Sequence, residues 1–139
     1  MRRTWSRDTL AHAITETFSE VLLLSEEMRE AFDGTPESLK QSRLGQRREA
    51  AANLLEQCEP DMPKPLRDDK YQVVWMEMVR GKDGNLFRPA RRDNAVRCLL
   101  TCVAYLSTLP DHDDTDELKF ELQHAINILD AVDFPGMSG

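Results

Sequence analysis

The chain has 139 residues, of which 40% are hydrophobic and 31% charged, and its formal net charge is −7. That length makes a single domain, 1–139, whose core needs neither disulfide nor metal to fold, and the overall acidity argues against strong nonspecific nucleic-acid binding. Three cysteines without paired spacing (Cys58, Cys98, Cys102) point to a reducing, cytoplasmic setting, and the basic start MRRTWSRDTL lacks the continuous apolar run of a secretion signal.

Leu10, Ile14, Phe18, Val21, Leu22, Ser25, Met28 and Phe32 recur at three- and four-residue steps. This spacing predicts an amphipathic helix from Ser6 or Arg7 to Phe32, capped by Ser6. Its outer face reads as acidic, with Glu16, Glu20, Glu26, Glu27 and Glu30 beside Arg29 alone. Asp33-Gly34 is expected to end it through a left-handed glycine. Thr35-Pro36-Glu37 starts a second helix, which pauses near Ser42 to Gly45 and resumes from Gln46 to Cys58. Three prolines then make 59–65 an extended connector, ordered against the bundle through Met62 and Leu66.

Leu66 to Val79 admits two readings. Tyr71, Val74, Trp75 and Met78 follow helical spacing, yet YQVVWMEMV is also rich in strand formers and GKDGN would close a β-hairpin onto Leu86-Phe87, over 71–87. The helix is the favoured reading. Asp93 to Leu109 is the stretch around which the rest is organised. It is apolar or small almost all round, so several neighbours should bury it as a central helix of about 25 Å. It is too short and too polar to span a bilayer. The last helix follows the acidic run from Asp111, with Asp114 and Glu117 as a capping box. It buries Leu118, Leu122, Ala125, Ile126, Leu129 and Val132, and stops at Phe134-Pro135-Gly136 before a frayed tail, 136–139. The fold class is therefore all-α, a single-domain bundle of about five helices around the central one.

Charge is segregated along the chain. Asp111, Asp113, Asp114, Asp116, Glu117, Glu121, Asp130 and Asp133 face only Lys119, which accounts for the whole net charge of −7. Arg88, Arg91 and Arg92 surround the start of the central helix, where cations oppose the helix dipole and so serve something other than helix stability. Pairing with acids of the chain or of another subunit is the favoured explanation, with phosphate or a partner's carboxylates as the other. Lys40, Arg43, Arg47 and Arg48 form a second basic run, read as a solvated helix face. The two runs could make a nucleic-acid track, but no aromatic stacking pattern is interleaved with them.

Other candidates have plainer readings. His112 among its acids suits helix capping better than a cation site, since calcium-loop spacing is missing. His12, Glu16 and His124 lack the two Glu-x-x-His pairs found in di-metal bundles. Cys98 and Cys102, four apart on an apolar helix, read as core. Trp75 with Met76 and Met78 is either core or a binding face. No glycine-rich phosphate loop or nucleophile elbow is present, so no catalytic, cofactor or metal residue is assigned.

Glu27 to Glu59, with Asp33, Pro36, Glu37, Leu39, Gly45, Glu49, Ala51, Ala52 and Leu55, resembles a segment of small uncharacterised bacterial and phage-associated helical proteins. The resemblance implies a mobile-element accessory protein and no catalytic residues. The expected function is a small non-enzymatic protein-interaction protein, an adaptor, inhibitor or assembly factor, binding another protein or itself through charged helix faces. Arg88, Arg91, Arg92, Arg47, Arg48 and Trp75 are its expected contact residues. The alternative is a dimeric nucleic-acid-binding regulator using Arg88–Arg97 and Arg43–Arg48.

Overall fold

The computed structural model describes residues 5–58, 64–67, 70–76 and 87–134. The chain runs through strand β1 (Trp5–Thr9), helices α1 (Leu10–Asp33), α2 (Glu37–Lys40) and α3 (Arg43–Glu56), a short 3-10 turn (Lys64–Arg67), strand β2 (Gln72–Met76), and helices α4 (Arg88–Leu106) and α5 (Asp113–Ala131). Helices α1, α3, α4 and α5 pack into an all-α bundle, and α4 lies between α1 and α5 with β2 also against it. The long apolar stretch is thus the central helix, which begins at Arg88, five residues ahead of Asp93, so that the arginines surround its start as expected. Ala95, Cys98, Leu99, Cys102 and Leu106 are buried on it, and Leu100 looks out.

The start of α1 differs from the sequence reading. Residues 5–9 form a strand, and Thr9 instead of Ser6 caps the helix, its side chain accepting from His12 N at 3.1 Å. The favoured helical reading of Leu66–Val79 is overturned over Gln72–Met76. These residues pair antiparallel with β1 in the register Trp5 with Met76 through Thr9 with Gln72. The strand expected there exists, but its partner comes from the beginning of the chain. Leu10 N donates to Tyr71 O at 2.8 Å, so the last β1 contact leads directly into α1. Residues 77–86, most of the connector 59–65 and the tail lie outside the described residues.

Most of the expected α1 stripe is buried, with Leu22 as its exposed member. Leu10, Ala13, Ile14, Thr17, Glu20, Val21, Leu24, Ser25 and Met28 are buried, whereas Leu22 is 55% exposed. The helix ends at Gly34 with φ −79° and ψ −5°, which is ordinary right-handed backbone. A left-handed closure is therefore not what this glycine supplies. On α5 the expected stripe is buried throughout, with Leu118, Leu122, Ala125, Ile126, Leu129 and Val132 all in the core. Its cap is His112, whose Nδ1 accepts from Asp114 N at 3.1 Å, in place of the Asp114–Glu117 box.

Gly45 is the glycine whose missing side chain matters. It stands in the first turn of α3, where Ser42 Oγ accepts its N–H at 3.3 Å. A Cβ there would overlap the Lys40 carbonyl oxygen and come within 2.6 Å of the Leu39 oxygen, both backbone atoms of α2. Gly45→Ala must push α2 off α3, and we expect it to destabilise the fold by about 1–3 kcal/mol in urea titration. An effect below about 0.5 kcal/mol would mean that α2 is not held against α3.

Candidate functional site

The buried charge of this protein joins α1 to α4. Arg91 enters the core from the first turn of α4, and Glu20 meets it from the middle of α1. Their side chains are 9% and 1% exposed, and Arg91 Nε donates to Glu20 Oε1 at 2.6 Å. Glu27, two turns further along α1, accepts from Arg91 Nη2 at 2.8 Å through Oε2. Its Oε1 accepts from Arg91 Nη1 at 3.0 Å and from Arg88 Nε at 3.1 Å. Two acids thus answer two arginines, and the cations at the N-terminus of α4 have their compensation inside the chain.

The titration of Glu27 follows from this geometry. Partial burial disfavours its charged form, but hydrogen bonds from Arg91 and Arg88 outweigh that and hold its carboxyl below the usual range. Its contribution to stability is therefore present above about pH 4.5 and lost as pH falls through the lower folded value. For Arg91, burial likewise opposes the charge, and Glu27 and Glu20 together raise its pKa further.

Arg92 faces the other way, towards α5. Its Nη1 donates to the Leu129 and Val132 carbonyls at 3.0 and 2.9 Å, and its Nε to Asp93 at 2.6 Å. The guanidinium also lies 5.6 Å from the centre of the Phe134 ring. It closes the C-terminus of α5, where orphan carbonyls and the negative dipole end favour a cation. Arg48 does the same for α1, donating to Thr35 Oγ1 at 2.9 Å and to Ala31 O at 3.4 Å. Arg47 pairs with Asp133, beyond the end of α5. All five arginines expected to contact a partner meet groups of this chain; Arg47 does so on an exposed helix face, whereas Arg48 is half-buried, which corrects the solvated-face reading for Arg48. Trp75 is placed in β2, opposite Ser6, but its side chain lies outside the described residues.

Glu20 and Glu27 are the residues that sequence reasoning misplaced, on the outer face of α1. A signal was available, because Glu20 falls on the same three- and four-residue steps as Ala13, Thr17, Leu24 and Met28. Several of the remaining acids do point outward. Glu26 and Glu30 on α1 are exposed, as are Asp113, Asp116, Glu117 and Asp130 on α5.

His12 stands exposed between Asp8 and Glu16, bonded by Nδ1 to Asp8 and 3.4 Å by Nε2 from Glu16. The hydrogen bond to Asp8 is the main cause of a pKa raised above 6.5, with slight desolvation opposing it and Glu16 adding to it. The stabilisation this brings is complete below the unfolded value and is lost as pH rises through the folded one. An NMR titration should find the His12 midpoint above 6.5 and return it towards that value in Asp8→Asn; a midpoint at or below 6.5 in the intact protein would contradict this contact.

Cys58, Cys98 and Cys102 are free and buried. Burial pushes the Cys58 thiol up to about 11 and, with help from Cys98, the Cys102 thiol up to about 12. Neither is a ready nucleophile in this setting. Among the described residues no group of three His, Cys, Asp or Glu side chains is gathered as for a metal ion, and no helix is long and apolar enough to cross a membrane. The fold is an all-α bundle in which Arg48, Arg88, Arg91 and Arg92 bond to groups of the chain itself, while Glu26, Glu30, Asp116 and Glu117 are exposed. No protein-family model, curated protein or solved structure matches the chain.

Proposed function

We propose that the chain is a small non-enzymatic protein-interaction protein of the cytoplasm, an adaptor, inhibitor or assembly factor, that offers acidic helix faces to a basic partner. The observation that carries this reading is the division of its charges. Arg47, Arg48, Arg88, Arg91 and Arg92 bond to the chain's own oxygens, while acids of α1 and α5 remain at the surface. A surface so divided attracts cations and repels phosphate. The same division weakens nucleic-acid binding and self-association through Arg88, Arg91 and Arg92, whose side chains are already bonded within the chain. The three buried thiols fit a reducing compartment. The resemblance of Glu27 to Glu59 to a segment of small phage-associated proteins supports a mobile-element accessory role.

Fluorescence anisotropy of a labelled arginine-rich peptide tests this reading with the full chain. Binding at low salt is expected, weakening as salt rises. A variant combining Glu26→Gln, Glu30→Gln, Asp116→Asn, Glu117→Gln and Glu121→Gln should bind at least about tenfold more weakly. Equal affinity for the variant and the natural protein would refute the acidic-face account.

A further inference from the structure

Phe120 is 74% exposed, more than any other large apolar side chain among the described residues. It stands in the middle of α5, on the side opposite the buried Leu118, Leu122 and Leu129. Bundle packing does not explain it, because the core is filled from that other side. Four residues on, the His124 ring lies parallel to it, with an interplanar angle of 2° and centroids 6.5 Å apart. The stacked pair makes an exposed aromatic patch of the kind that enriches interface centres. Helical spacing puts Asp116 and Glu117 one turn before Phe120, and Gln123 and Asn127 on its other side, bonded to each other at 3.2 Å. Asp116 and Glu117 are exposed, and Lys119 lies 3.5 Å from Asp116.

We propose that the Phe120–His124 face of α5 is the docking site for an arginine-bearing segment of a basic partner protein. The guanidinium lies on the Phe120 ring, and Asp116 and Glu117 hold its edge. Arginine suits both halves of this surface, since its planar cation stacks on aromatic faces and its fork of donors matches carboxylates. Charge complementarity decides between occupants. A second copy would bring the acids of one α5 against those of another, and a nucleic acid would bring phosphates to the same carboxylates. This inference rests on the acidic-face reading above and narrows it to one helix.

The test is NMR chemical-shift mapping on the 15N-labelled full chain, titrated at low salt with a synthetic arginine-rich peptide. Shifts centred on Glu117, Phe120 and His124 are expected. Phe120→Ala should weaken binding at least about tenfold, whereas Leu22→Ala on the exposed face of α1 should leave it unchanged. Because Phe120 is so exposed, its replacement should not unfold the chain. Unchanged binding by Phe120→Ala, or shifts centred on α1, would overturn the α5 site and leave the acidic-face reading standing. Concentration-dependent shifts at Phe120 without peptide would put a second copy there and overturn it as well. A peptide that leaves the spectrum of the natural protein unmoved would overturn both.

Discussion

Replacing Arg91 by alanine should lower the stability of this fold by about 3–5 kcal/mol, because it leaves Glu20 buried without its cation. The guanidinium is 9% exposed and touches both Glu20 and Glu27, so its removal strands a carboxylate that water cannot reach. Urea denaturation would show the loss as a lower midpoint with little change in slope. The pair as a whole is a different matter from either half. In the double variant Glu20→Leu with Arg91→Met, apolar side chains replace both charges, and most of the lost stability should return. Arg97→Ala, at an exposed position of the same helix, should stay within about 0.5 kcal/mol. An Arg91→Ala variant as stable as Arg97→Ala would mean that α1 and α4 are not joined through this pair.

Leu99→Ala should cost about 2–5 kcal/mol, through lost burial and the cavity left behind. Leu99 is fully buried on α4, the helix shared by α1, α5 and β2, so several elements would have to move to refill the space. Leu100→Ala is the natural comparison, one residue along and 48% exposed. A small effect at Leu99 beside a large one at Leu100 would rotate α4 away from the described packing.

The parts of this fold that can be read in the sequence are those decided by local periodicity. The six positions expected in the α5 core are buried because apolar residues there recur without interruption on one face. The pause between α2 and α3 follows likewise from Ser42, which caps the new helix. Helix α1 is harder, since Glu20 occupies a core position that hydrophobicity assigns to solvent. Its burial depends on Arg91, 71 residues away, and no window along α1 contains that partner. The strand at residues 5–9 has the same origin. WSRDT has too few residues to show a period, and its pairing with Gln72–Met76 is set by tertiary contact. For the arginines, the helix dipole argument indicates that their charge needs compensation, with acids of the chain or of another subunit as the favoured source. Which acids, and that Arg48 and Arg92 close helix ends instead, follows only from packing.

The proposed function rests on the arginines of α4 being bonded within the chain while acids of α1 and α5 stay exposed. Its most direct test is size-exclusion chromatography with light scattering on the full chain, at low and high salt, with an arginine-rich peptide and with duplex DNA. The account predicts a peptide complex that dissolves at high salt and no change with DNA. A DNA complex at low salt, with no complex on the peptide, would contradict it.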